Sequence, residues 1–213
     1  MHDVFQRGLI RGAMRMPFDP EKRYFYVEHP TEGWRVFLRA CCFIHEKPDP
    51  SAEEQTVDLM RFVVVKRAYK ARSGKEWEPP KGQMEGKDGL RNPGDSIMTI
   101  LKQNLKREVA EESRIEKLQN MEYTGLVLEG RERDYPPNTF FQYHIFRATV
   151  EPREWMRASE ELTWFREHPI AFERQKRDRK EKDEIAWFSP SETRIMGRWS
   201  PKIVGMYLKK FAN

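Results

Sequence analysis

The order of the periodic segments constrains this chain most. One long helical pattern, residues 97–113, stands between two sets of β-prone runs. In it Ile97, Leu101, Leu105 and Val109 form a single i+4 row, the apolar stripe of an amphipathic helix. Asp95-Ser96 precedes the stripe as an N-cap signal. Upstream, Trp34–Ile44 and Arg61–Arg67 are apolar and β-prone; downstream, Tyr123–Leu128 and Thr139–Val150 read as strands around a Pro136-Pro137-Asn138 turn. Residues 153–167 are helical, with Pro169 as a stop. Ile185–Phe188 is a short strand, and Pro201–Phe211 is a last amphipathic helix. Strand, strand, helix, strand, strand, helix predicts an α+β fold with a mixed sheet.

Composition removes several alternatives. The chain has 213 residues, enough to bury a core without disulfide or metal staples. It is 38% hydrophobic and 34% charged, yet its 13 Phe, 7 Tyr and 6 Trp argue against disorder. No apolar run approaches the ~20 residues of a spanning helix, so no membrane partner is expected. The only cysteines, Cys41 and Cys42, are neighbours inside the apolar run Ala40–Ile44. They read as a buried strand in a reducing compartment, the cytoplasm. Arg7, Arg11 and Arg15 recur every four residues around Leu9, Ile10 and Met14, which as a targeting helix would make the protein mitochondrial. Asp3, Asp19 and the lack of serine in the first 20 residues favour an ordinary surface helix or arm.

Chemistry concentrates in Arg107-Glu108-Val109-Ala110-Glu111-Glu112-Ser113. On a helix Glu108, Glu111 and Glu112 stand at i, i+3 and i+4, so their carboxylates share one face. Like charges at that spacing repel by roughly 0.2–0.5 kcal/mol per pair. Clustered carboxylates suit a hard cation, Mg²⁺ or Mn²⁺, which takes oxygen ligands and keeps several waters. Arg107, four residues before Glu111, can brace a carboxylate with its rigid fork. A solvated acidic helix face is the plain alternative. Upstream, however, lies Trp77-Glu78-Pro79-Pro80-Lys81-Gly82-Gln83-Met84-Glu85-Gly86-Lys87-Asp88-Gly89. Gly82, Gly86, Gly89 and Gly94 predict a loop, and a glycine-rich loop running into a helix offers backbone N–H groups to phosphates.

With these residues the chain resembles the Nudix hydrolases, whose signature is G-x5-E-x7-R-E-U-x-E-E-x-G-U, U being aliphatic. Arg107 to Ile115 matches the second half, with Arg114 in place of its glycine. Pro80 to Asp88 resembles the first half, and Val63–Arg67, Gly74 and Trp77 resemble its run-up. The spacing departs: Asp88 to Arg107 is 107 − 88 = 19 positions where the signature has 8. Measured from Asp95 it is 107 − 95 = 12, an excess of four, about one helical turn. One added turn plus an enlarged loop keeps the same face inward.

The resemblance implies an α/β/α sandwich with a mixed sheet between helices. It implies a domain over residues 34–195, with insertions about 89–95 and 151–183, an N-terminal arm (1–33) and a packed C-terminal helix (196–213). It implies that Glu108, Glu111 and Glu112, with the Gly82 backbone, hold Mg²⁺ or Mn²⁺, and that Arg107 orients them. Glu111 or Glu112 would be the general base, with Glu160 or Glu161 as alternatives. Lys81, Glu85, Trp77 and Arg67 would contact substrate. Such enzymes cleave a phosphoanhydride bond in a nucleoside diphosphate linked to another group.

The substrate is less legible. A net charge of 39 − 34 = +5 fits a polyanion. Trp77-x-Pro-Pro-Lys-Gly resembles the dinucleoside polyphosphate hydrolases, while insertions and basicity resemble enzymes acting on RNA 5′ caps or 5′ pyrophosphates. Segment 173–183 could track a phosphate backbone, but at 6 − 4 = +2 it reads better as a solvated charged loop. Tyr135, Phe140, Phe141 and Tyr143 could stack on a base, although strand alternation puts about half of them in a core. A second class stays open: a catalytically inactive Nudix-fold module, RNA-binding or structural, in a ribonucleoprotein assembly. The enlarged loop and Arg114 favour it; the intact glutamate set opposes it. Oligomeric state is not encoded in any of these features.

Overall fold

The computed structural model describes residues 1–17, 19–48, 57–68, 76–132 and 135–211. Gly74 and residues 49–56 of the acidic segment 45–58 lie outside the described residues. In chain order the elements are β1 (Ile10–Met16), β2 (Asp19–Glu28), β3 (Arg35–Glu46), β4 (Val63–Arg67), β5 (Trp77–Glu78), β6 (Lys81–Gln83), α1 (Gly86–Leu90), α2 (Ile97–Ser113), β7 (Leu118–Gly130), β8 (Thr139–Val150), α3 (Pro152–Glu167), α4 (Pro169–Glu173), β9 (Lys182–Trp187) and α5 (Ser200–Phe211). The α+β class is as expected. No helix among the described residues is long and apolar enough to cross a membrane.

The chain divides into two compact units. The first comprises Met1–Cys41, Lys81–Leu105 and Val127–Ile145; the second comprises Cys42–Pro80, Lys106–Leu126 and Phe146–Asn213. The larger sheet runs in the order β1-β2-β3-β8-β7, with β6 paired on β3. Residues expected as an arm or surface helix instead form the antiparallel β1–β2 hairpin, in register from Ile10↔Glu28 to Arg15↔Arg23. The β-prone run Arg23–Val27 offers β1 a ladder, and ladder pairing outweighs the four-residue arginine spacing. Gly12 permits this pairing closely, since a Cβ there would meet the Tyr26 ring at 2.4 Å. One core cluster of the first unit is Met16, Tyr24, Phe37 and Phe141, with Tyr26 and Tyr135 packed against it. Phe37 stacks on Phe141 at 5.4 Å between centroids.

The glycine-rich stretch is not wholly loop, because α1 forms within it. Gly86 and Gly89 serve close packing rather than freedom. A Cβ at Gly89 would lie 2.0 Å from the Phe25 ring, and one at Gly86 would lie 2.6 Å from Ala13. Helix α2 has the predicted span, and Ile97, Leu101, Leu105 and Val109 are all buried. Ser96 starts it, its Oγ accepting the Thr99 N–H at 3.1 Å.

The second unit contains a three-stranded sheet in the order β5-β4-β9. Val63, Val64 and Val65 are fully buried, so β4 is covered on both faces. Aromatic stacking is concentrated here: Phe43 lies on Tyr207 at 3.7 Å and Phe62 on Phe188 at 4.6 Å. Pro169 ends α3 as expected and also begins α4, with His168 between them. Residues 173–183 are not simply a solvated loop. Arg177–Lys180 form a 3₁₀ turn, and Lys182, 2% exposed, opens β9. Cys41 and Cys42 are both reduced and fully buried, and burial raises the Cys42 thiol far above its ordinary range.

Candidate active site

The acidic segment occupies the last turns of α2, in the second unit. The helix register brings Arg107 and Glu111 one turn apart, and Arg107 donates to Glu111 Oε2 at 2.7 Å. The same guanidinium reaches Glu108 Oε1 at 2.9 Å, so both carboxylates are gathered by one rigid fork. Burial dominates the chemistry of Glu108. Its carboxyl is pushed up to about 8, first by desolvation, partly offset by Arg107, and further by the charges of Glu112, Glu111 and Glu181.

Glu112, on the same face, is treated differently. It is 4% exposed, and its Oε1 lies 3.1 Å from Lys182 Nζ. Lys182 also donates to Glu78 Oε1, and Ser200 Oγ donates to Glu78 Oε2 at 3.1 Å. Strand β5, the end of α2, the start of β9 and the start of α5 therefore meet at one buried charge cluster. Sequence reading missed it. Lys182 is the tenth residue of an almost wholly charged run, and only its place three residues before the apolar run Ile185–Phe188 distinguishes it.

Arg114 explains the departure from the signature's glycine. It keeps the left-handed backbone that glycine would favour, with φ +65°. Its side chain, fully buried, donates to the Glu111 carbonyl at 2.9 Å and to the Arg179 carbonyl at 2.5 Å. Its Nε lies 3.5 Å from Glu161 Oε1, and its guanidinium sits over the Phe165 ring at 5.6 Å. Arginine thus caps one C-terminal carbonyl of α2 and ties the helix end to α3. Burial lowers this guanidinium to about 10. Glu161 also pairs with Arg157 at 2.9 Å and Arg179 at 3.3 Å, while Glu160 is exposed.

The remaining expected residues fall as follows. Trp77 is 7% exposed and Lys66 lies over its ring at 5.7 Å. Arg67 is exposed at the end of β4, opposite Lys182 in the β4–β9 register. Lys81, Gly82 and Glu85 belong to the first unit. Lys81 and Gly82 are strand residues opposite Cys41 and Ala40 of β3. Glu85 pairs with Lys22 at 3.2 Å and Lys87 at 3.0 Å, and its backbone N–H donates to Asp88 Oδ2 at 2.9 Å. Phe141 and Tyr143 are core residues, 0% and 7% exposed. Among the described residues no group of three or more His, Cys, Asp or Glu side chains is arranged to hold a metal ion.

No family model matches the chain, and no curated protein matches it. Solved structures do. A NUDIX hydrolase from Nitrosomonas europaea is 17% identical over 82% of this chain and 90% of its own, with a TM-score of 0.45. The NUDIX domain of Shewanella oneidensis NrtR, solved with ADP ribose, is 11% identical over 87% and 94%, with a TM-score of 0.46. A C. elegans Ap4A hydrolase binary complex is 17% identical over 83% and 96%, with a TM-score of 0.40. The solved structures to which this chain is similar thus include Nudix hydrolases.

Proposed function

We propose that this chain is a Nudix-type pyrophosphohydrolase dependent on Mg²⁺ or Mn²⁺. Its substrate in this reading is a nucleoside diphosphate linked to a second group, an RNA 5′ end or a dinucleoside polyphosphate. The observation that carries the reading is the half-buried carboxylate face of α2, with Glu108 and Glu111 gathered by Arg107. The donors fit a hard divalent cation in kind. They are carboxylate oxygens, and burial makes the Glu108 charge costly until a cation joins it. Glu108, Glu111 and Glu112 are the candidates to hold it. When bound, such an ion polarises phosphoryl oxygens and makes its water a better nucleophile.

The chain's own residues supply the rest. Arg107 fixes the orientation of Glu108 and Glu111. Glu111 takes the proton of the attacking water, acting as general base. Arg67, exposed at the end of β4, is a cation for substrate phosphates, and the net charge of +5 supports a polyanionic substrate. The reduced, buried cysteine pair supports a reducing compartment, the cytoplasm in this reading.

One observation favours the second reading, an inactive nucleic-acid-binding or structural module: Glu112 is already held by Lys182. The deciding assay is Mg²⁺-dependent phosphate release from capped RNA, dinucleoside polyphosphates and ADP-ribose, comparing wild type with Glu111→Gln. The hydrolase reading expects at least a hundredfold loss in the variant. A wild type as inactive as the variant on every substrate would overturn the hydrolase reading.

A further inference from the structure

The cluster around Lys182 divides the three glutamates. Lys182 is 2% exposed, Glu112 4%, Glu78 8% and Ser200 1%. The lysine reaches Glu112 Oε1 at 3.1 Å and also donates to Glu78, whose other oxygen accepts from Ser200 Oγ at 3.1 Å. Glu108 and Glu111, by contrast, share the Arg107 fork and are more open, with side chains 16% and 23% exposed against 5% for Glu112. A buried carboxylate with a buried ammonium beside it gains little from a second cation. Admitting one would place two like charges side by side in a site with little water to screen them.

We infer that Lys182 is a positioning residue that serves as the resident counter-ion of Glu112, so that a divalent cation is held by Glu108 and Glu111 and not by Glu112. This rests on the metal-dependent reading above and narrows it. Two carboxylates with waters and substrate phosphates are a usual complement for Mg²⁺. Glu112 then acts through structure, anchoring the end of α2 to β5, β9 and α5.

The test is direct Mn²⁺ binding, read from the free-ion paramagnetic resonance signal, on wild type, Glu111→Gln, Glu112→Gln, Lys182→Arg and Lys182→Met. Glu111→Gln should weaken Mn²⁺ binding at least tenfold. Glu112→Gln and Lys182→Arg should stay within threefold of wild type. Lys182→Met should bind Mn²⁺ at least fivefold more tightly, because Glu112 and Glu78 lose their ammonium. Glu112→Gln losing as much affinity as Glu111→Gln overturns the inference while leaving the hydrolase reading intact. So does a folded Lys182→Met with unchanged or weaker binding. If Lys182→Met does not fold, the comparison of Glu111→Gln with Glu112→Gln decides alone. A wild type that binds no Mn²⁺ overturns both.

Discussion

The two units bury cations in different ways. In the first, the buried Arg39 guanidinium is shared among aromatic faces, a side-chain amide and the Glu132 carboxylate at 3.4 Å. Arg39, 5% exposed, lies 4.4 Å over Phe141 and 5.3 Å over Tyr143 and donates to Gln83 at 3.1 Å. Tight backbone approaches at Gly86 and Gly89 close the packing. In the second, charge is concentrated: Lys182, Glu78 and Glu112 form one buried cluster, and Arg107 gathers two more carboxylates. The first unit is therefore sensitive to volume and the second to charge.

The largest effect expected is in the charged cluster. Lys182→Met should cost about 3–5 kcal/mol, because it removes the ammonium from two buried carboxylates, as read by urea unfolding. A loss under 1 kcal/mol would show that the cluster is not a strong constraint. Next comes volume. Gly89→Ala should cost about 3 kcal/mol by forcing a methyl group into the fully buried Phe25 ring. Gly94→Ala, with nothing within 4 Å, should leave the melting temperature unchanged. If the two alanine variants melt alike, the steric half of the contrast fails.

The smallest effect is in pH, and its sign differs between units. His144, in the first, is lowered to about 4 by burial. Its neutral form is the one the fold accepts, so stability is lost as pH falls from 6.5 towards 4. Glu108, in the second, is raised from 4.5 to about 8. Its contribution is complete below 4.5 and lost as pH rises to about 8. His144→Gln should flatten the acid limb of a melting-temperature profile, and Glu108→Gln the neutral-to-basic limb, each by about 2–4 °C. Profiles parallel to wild type in both variants would remove this distinction.

What the sequence disclosed follows from the range of the forces involved. Helix α2 was legible to the residue, because its apolar row and Ser96 cap are both local. The Arg107–Glu111 pair was legible for the same reason, being a one-turn relation. The β1–β2 hairpin was not, since its arginine spacing satisfied a helix as well as a strand and only pairing decides between them. Helix α1 was hidden because Gly86 and Gly89 signal flexibility when their partners, Ala13 and Phe25, are unknown. Lys182 was the costliest omission. Its partners Glu78 and Glu112 lie far away along the chain, and a lysine among five other basic residues carries no mark of burial.

The paired cysteines have a practical consequence. With both thiols at 0% exposure and no disulfide between them, the folded chain presents no target to a thiol reagent. Modification can occur only when β3 opens, so its rate is an intrinsic clock of large-scale opening. The same silence lets one cysteine introduced at the surface be labelled without background. A spin or fluorescent reporter could then be placed beside α2 in an otherwise wild-type chain.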